Sequence, residues 1–232
     1  MDVIEVIPRL HMLRFPIGQA YLWRDGEDLT LVDAGYADAA DEIEEAVRGL
    51  GAEPSAISRI VLTHCHRDHV GAAGELAARH GARVLAHALD APVIRGEVPV
   101  PAPVLLDWEI PLYEHGLTVP EAPPTRVHRE LVDGDDLGFG DGARVVHVPG
   151  HTAGSIAVHL PRHGVLFTGD TVAGVGRVTL GVFHVDREAA RKSMRRLSAL
   201  MPSVLCFGHG DPVTVDAAEQ LAAAAGQEHG DG

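Results

Sequence analysis

Thr63-His64-Cys65-His66-Arg67-Asp68-His69 directly follows the short run Arg59-Ile60-Val61-Leu62. The run has the length and apolar character of a buried strand, so the cluster begins where a strand gives way to a loop. Loops held by a rigid scaffold are where catalytic groups concentrate. Three imidazoles and one carboxylate within six residues are donor types that zinc and iron accept. Folding four such groups into one small volume calls for a positive charge among them.

Three further donors follow, each after an apolar run and each preceded by glycine, which lets the backbone turn sharply. His151 lies in Val148-Pro149-Gly150-His151-Thr152-Ala153-Gly154-Ser155, Asp170 in Leu166-Phe167-Thr168-Gly169-Asp170-Thr171, and His209 in Leu205-Cys206-Phe207-Gly208-His209-Gly210. Upstream, Val32-Asp33-Ala34-Gly35 puts another carboxylate at a strand end. In these motifs, taken in order, the chain resembles the metallo-β-lactamase fold superfamily over about residues 10 to 215. The matching features are T-H-x-H-x-D-H, the P-G-H-T-x-G-S, T-G-D and G-H-G turns, and the early D-x-G turn.

The resemblance implies an α/β (α+β) fold, a four-layer αββα sandwich, and two metal sites. His64, His66 and His151 would hold the first ion, Asp68, His69 and His209 the second, and Asp170 would bridge them. Asp33 and Thr63 would support these ligands from behind, because such carboxylates orient ligating imidazoles. The expected cofactor is a pair of divalent ions, Zn2+ first, with Fe or Mn as alternatives. Bound metal lowers the pKa of water by several units. The implied enzyme is a zinc-dependent metallo-hydrolase whose bridging hydroxide attacks a small-molecule acyl carbonyl, with Asp68 orienting the nucleophile and handling its proton.

Finer resemblances narrow the substrate without fixing it. Asp170 is similar to the bridging aspartate of thioesterase-like and lactonase-like members, which zinc-type β-lactamases lack. Ala173 stands where acyl-homoserine lactonases carry tyrosine, and His66 where flavodiiron proteins carry glutamate. The stretch after His209 is shorter than the helical substrate domain of hydroxyacylglutathione hydrolases. A thioester, a lactone or a related ester is expected. The alternatives are a mononuclear iron persulfide dioxygenase and a β-lactamase-like amide hydrolase.

Composition bounds the partners. With 232 residues, 46% hydrophobic and 22% charged, the chain suits one α/β domain with a sizeable core. A net charge of −14 argues against nucleic acid, whose binders carry a basic footprint. The N-terminus lacks a basic region followed by a long apolar one, and no run approaches a membrane span, so a cytoplasmic protein without membrane contact is expected. Homo-oligomerisation is left open. The two cysteines, Cys65 and Cys206, are read as buried free thiols rather than a disulfide framework.

Residues 1–33 read as four strands, with the turn Asp25-Gly26 joining the last two. Amphipathic helices are predicted over Ala37 to Leu50, Val70 to Arg79, Asp186 to Leu200, with Arg187 solvated, and Val215 to Ala225. Strands are predicted over Arg83 to Ala86, Ala143 to Val148, Ile156 to Leu160, Val165 to Thr168 and Val204 to Phe207. Residues 92–124 hold eight of the 15 prolines. A long loop inside a compact domain is commonly functional, so this segment is expected to act as a lid, with Trp108, Tyr113 and, further on, His184 lining the substrate pocket. Residues 226–232 are expected to fray.

Overall fold

The computed structural model describes residues 1–227; the tail expected to fray lies, beyond that point, outside the described residues. In chain order the elements are β1 (Asp2–Ile7), β2 (Leu10–Arg14), β3 (Gln19–Asp25), β4 (Asp28–Val32), α1 (Ala40–Gly49), β5 (Ile57–Val61), α2 (Arg67–Val70), α3 (Ala73–His80), β6 (Arg83–His87), α4 (Ala91–Ile94) and α5 (Ile110–Gly116). There follow β7 (Arg129–Leu131), β8 (Arg144–His147), β9 (Ile156–Leu160), β10 (Val165–Phe167), β11 (Val172–Ala173), β12 (Thr179–Leu180), α6 (Arg187–Ser198), β13 (Val204–Cys206) and α7 (Ala217–Gly226).

Strands β1 to β7 form one sheet in sequence order, antiparallel through β4 and parallel from β4 to β7. The second sheet runs β13-β10-β9-β8. The first sheet is buried on both faces, which is why its central strands read as nearly continuous apolar runs. Alternation still sorts the side chains. Ala20, Leu22, Leu31, Ile60, Leu62 and Val84 pack with Ile43, Val47 and Leu76 of α1 and α3. Tyr21, Trp23, Val32, Val61 and Leu85 face Val145, Ile156, Val158, Val165 and Phe167 of the second sheet. The outer face of that sheet, with Val146, Leu166 and Leu205, is covered by Ala190, Met194 and Leu197 of α6 and Leu221 of α7. Helices, sheet, sheet and helices therefore stack as the four-layer α/β sandwich.

Three local expectations are corrected. The helix predicted from Val70 is two helices, α2 and α3. The Gly71 and Ala72 amides leave the helical ladder to donate to the Gly35 and Ala34 carbonyls at 2.8 and 3.3 Å. A Cβ on Gly71 would come within 2.0 Å of the Tyr36 carbonyl carbon, so this close approach admits only glycine. The proline-rich stretch is not bare loop, since it carries α4, a 3-10 turn over Asp107–Glu109 and α5. Arg187, expected in solvent, pairs with the fully buried Glu109. Elsewhere the helix ends fall within a few residues of the predicted bounds, where caps and fraying shift boundaries.

A charged cluster ties α1 to α3. The buried Glu44 carboxylate accepts from Arg48, Arg79 and His80, each at 2.8 Å. Arg79 first, then His80, holds this carboxyl down at about 2. A depressed carboxylate stabilises the fold fully above its unfolded value and loses that contribution as pH falls through its folded value. Glu44→Gln is expected to cost about 1 kcal/mol near neutral pH. Urea denaturation should show the gap to wild type closing between the ordinary value of 4.5 and about 2; a gap independent of pH would refute the assignment.

Candidate metal centre

Every candidate donor lies just past the carboxyl end of a strand. His64, His66, Asp68 and His69 follow β5, Asp170 follows β10, His209 follows β13 and His151 follows β8. Strand β4 is parallel to β5 and β10 to β13, while β8 and β10 both run antiparallel to β9. Each sheet thus delivers its donors to one edge, the usual ligand edge of α/β sheets. The two edges meet where the Ile156 amide donates to the Thr63 carbonyl at 2.8 Å.

The first donor set is His64, His66 and His151. His66 Nδ1 lies 3.1 Å from His64 Nε2 and 2.9 Å from His151 Nε2. Backing partners fix the tautomers. Thr63 Oγ1 donates to Asp33 Oδ2 at 2.8 Å, so the His64 Nδ1 at 3.0 Å donates to Thr63 and carries the proton. His151 Nδ1 donates to the Val182 carbonyl at 3.0 Å. Both Nε2 atoms are left as lone pairs, and a single proton on His66 Nδ1 satisfies only one of them. Burial holds all three rings below the ordinary histidine range, so they are neutral donors. A tetrahedral ion with nitrogen ligands at about 2.0–2.1 Å sets ligand atoms roughly 3.3 Å apart, close to this spacing.

The second set is Asp68, His69 and His209. Asp68 Oδ2 lies 3.4 Å from His69 Nε2 and 3.2 Å from His209 Nε2. Asp170 stands between the sets. Its Oδ1 lies 3.4 Å from His69 Nε2, and its Oδ2 lies 3.2, 3.7 and 4.0 Å from the Nε2 atoms of His209, His151 and His64. Buried His69 Nε2 and Asp170 Oδ1 have no hydrogen-bond partner, and orphaned buried polar atoms are costly. Burial opposes a charge on His209, but Asp170 and Asp68 outweigh it and raise its pKa to about 10. His69 is likewise driven up against its burial, mainly by Asp170. Burial acts against the Asp68 and Asp170 carboxylates too, yet His69 and His209 hold both well below the usual range. The carboxylates demand positive charge here, and the donor atoms suit divalent metal.

A supporting layer fixes these side chains. Asp33 sits in the left-handed region with φ of 59°, a conformation aspartate tolerates. Its Oδ1 accepts the Thr63 amide at 2.7 Å, while Oδ2 takes the Thr63 hydroxyl and also His69 Nδ1 at 2.9 Å. Asp33 and Thr63 are the two residues that the sequence reading expected behind the donors. That reading did not reveal Asp90, which is buried and accepts Thr152 Oγ1 at 2.7 Å and the Gly154 amide at 2.8 Å, pinning the His151 turn. The readable signal was a carboxylate soon after β6, as Asp33 is a carboxylate directly after β4. Nor did it reveal Gln19 and Tyr21. Gln19 Nε2 donates to the Phe207 and Gly210 carbonyls at 2.8 and 2.6 Å, and the Tyr21 hydroxyl accepts the Phe207 amide at 3.0 Å. A Cβ on Gly208 would fall 1.8 Å from Asp170 Oδ1, so the His209 turn closes directly over the central carboxylate.

The expected pocket residues divide. Trp108 is half exposed on the proline-rich segment. The Tyr113 ring meets Phe183 edge-on at 5.3 Å. His184 has no exposed surface. Its ring lies 5.6 Å from that of His151, and its Nε2 donates to the Gly181 carbonyl at 2.8 Å. Solvent reaches the cluster on the side of His66, Asp68, Asp170 and His209, while His64, His69 and His151 are buried. Cys65 and Cys206 are buried free thiols, both pushed up by burial.

Comparison with known proteins identifies the family. A family model described as the metallo-beta-lactamase superfamily matches residues 13–209. A hydroxyacylglutathione hydrolase of Cereibacter sphaeroides is 38% identical over 156 residues, which are 66% of this chain and 48% of that protein. The chain therefore spans about half the length of such relatives. The uncharacterized protein YobT of Bacillus subtilis is 29% identical over 84% of each chain. Among solved structures, the protein TTHA1623 in a di-iron-bound form is 30% identical, with a TM-score of 0.67 over 91% of this chain and 96% of its own. The subclass B3 metallo-beta-lactamase BJP-1 of Bradyrhizobium japonicum, 20% identical, shares the fold with a TM-score of 0.72 over 97% and 89%. Helices long and apolar enough to cross a membrane are absent among the described residues. The motifs, the two-sheet architecture and the match across residues 13–209 together mean that this chain belongs to the metallo-beta-lactamase superfamily.

Proposed function

We propose that this chain is a dinuclear metal-dependent hydrolase acting on a small-molecule acyl compound, with thioesters the first class to test and lactones the second. The observation that carries the reading is Asp170, whose Oδ1 faces His69 and is buried without a partner, and whose Oδ2 faces His209 of the second set and His151 and His64 of the first. His64, His66 and His151 would hold one divalent ion, Asp68, His69 and His209 the other, with Asp170 shared. Two such ions supply a water acidic enough to ionise near neutral pH and a Lewis acid for the carbonyl oxygen. Zinc suits these donors, and the di-iron form of TTHA1623 makes iron the alternative. The hydrolase names of the Cereibacter sphaeroides relatives support the thioester class.

The chain's own residues have defined tasks. Asp33 holds the His69 Nδ1 proton and, through Thr63, orders the His64 Nδ1 proton, so that both rings point Nε2 inward. The Val182 carbonyl does the same for His151. Asp68 lies on the solvent-reached side with one carboxylate oxygen against His69 and His209. It is placed to orient an attacking water and accept its proton, a role worth roughly 100-fold or more in rate. Substrate enters over His209 and Asp68, and the buried face formed by His64, His69 and His151 keeps water from the rear.

Elemental analysis of metal-replete protein is expected to return about two ions per chain. A panel of a hydroxyacylglutathione thioester, a lactone, a simple ester and a β-lactam is expected to give turnover on the thioester or lactone. One iron per chain, oxygen consumption with a persulfide and no acyl hydrolysis would replace the proposal with the dioxygenase reading. Asp170→Asn is expected to weaken both ions together, whereas His151→Ala should release about one and slow turnover at least about 100-fold. Asp33→Asn keeps the shape but removes the charge that backs His64 and His69. Chelator competition should show affinity lower by about 10–100-fold with an unchanged far-ultraviolet spectrum; unaltered affinity would remove Asp33 from this role.

A further inference from the structure

The stretch 104–121 has little packing of its own. Helix α5 contributes no buried side chain, and Trp108, Ile110, Leu112 and Leu117 are all 42–51% exposed. Yet Glu109, in the middle of these exposed neighbours, is 0% exposed. Its Oε1 and Oε2 each lie 2.7 Å from Arg187 Nη2, Oε2 accepts the Leu106 amide at 2.9 Å and Oε1 accepts the Phe183 amide at 3.3 Å. The Val104 amide adds a bond to the His184 carbonyl at 2.9 Å. Residues 182–186 in turn hold the His151 turn: the Val182 carbonyl accepts from His151 Nδ1, and the Val185 and Asp186 amides donate to the His151 and Gly150 carbonyls at 3.3 and 2.9 Å.

The far end of the stretch is tied to the other donor loop. Arg67, between His66 and Asp68, donates from Nη1 to the Val119 and Leu117 carbonyls at 3.0 and 3.4 Å, and its Nη2 lies 3.7 Å from Glu121. Residues 104–121 therefore run from the loop that carries His66 to the loop that braces His151, alongside the first donor set. Between these two ties, Tyr113 against Phe183 is the ring contact that seats α5.

We propose that Glu109 and Arg187 are positioning residues for the substrate site, the pairing of the buried Glu109 carboxylate with Arg187 fixing residues 104–121 as one wall of it. The proposal rests on the hydrolase reading above. A buried ion pair adds little net stability compared with apolar residues of similar size, but removing one partner is severe. That pattern suits a device that sets where a thinly packed segment lies. Neither residue is a donor to the metal cluster, and neither touches the reacting atoms, so the pair acts through the wall that it holds.

The test uses full-length metal-replete protein with Glu109→Ala, Arg187→Ala, Arg187→Lys and the double variant Glu109→Met with Arg187→Met. Three quantities are measured: metal content, KM and kcat on a hydroxyacylglutathione thioester, and the rate of chymotrypsin cleavage after Trp108 and Tyr113. The alanine variants are expected to raise KM about tenfold or more, with kcat within about twofold and metal content unchanged. Cleavage should quicken by at least about tenfold as the segment opens locally. Arg187→Lys, which keeps the charge, should recover most of the KM. The double variant leaves no unpaired charge beside the buried position of Glu109 and so should fold even where a single alanine variant does not, yet it should retain the raised KM. Unchanged KM and cleavage, or a loss of kcat and metal content accompanying the rise in KM, would overturn the proposal. If wild type hydrolyses no member of the panel, the hydrolase reading falls, and the cleavage rates alone decide whether the pair anchors the wall.

Discussion

Lone pairs converge at the carboxyl edges of the two sheets, and the rest of the structure depends on that convergence. Nitrogen atoms of His64, His66 and His151 approach within 2.9–3.1 Å, with two of their protons committed elsewhere. Beside them, two carboxylates share a volume with His69 and His209. Such an arrangement is repulsive unless positive charge enters it, and a loose scaffold would let the groups drift apart. The scaffold is accordingly not loose. Three apolar layers lie between four layers of secondary structure, and the donors sit on short turns past strand ends or on the four-residue helix α2 rather than on long loops.

Rigidity is completed by carboxylates and amides that never enter the cluster. Asp33 serves the turn after β5 from the end of β4, and Asp90 serves the His151 turn from the end of β6. In both cases one buried carboxylate accepts a backbone amide together with a threonine hydroxyl, so it fixes main chain and side chain at once. Gln19 and Tyr21 clamp the His209 turn from β3. Supports from the first sheet thus hold donors that belong to the second.

Much of this was legible in the sequence for physical reasons. Metal donors need particular side chains at close spacing, so Thr63 to His69 and the glycine-preceded His151, Asp170 and His209 stand out in a linear reading. Strands buried on both faces leave apolar runs, and the helices flanking them leave amphipathic ones. Long-range pairs leave no such trace. Nothing near Glu109 signals that its partner is Arg187, 78 positions away, and a run of arginines on α6 reads as solvated. Gln19 resembles any polar residue at a strand start until β3 is seen beneath the His209 turn. The split between α2 and α3 escaped for a related reason: it is imposed by carbonyls of residues 34 and 35 rather than by local propensity.

The division of donors between the sheets has a thermodynamic consequence. In the proposed centre the first sheet would send His64 and His66 toward one ion and Asp68 and His69 toward the other, while the second sheet would send His151, Asp170 and His209. Each bound cation would therefore act as a rivet through the seam between the two halves. Ligands that bind only the folded state add their binding free energy to its stability, and structural metal binding is in part folding free energy. The seam would then be strongest when the centre is loaded. Metal supply would govern how long the molecule survives as well as whether it turns over substrate.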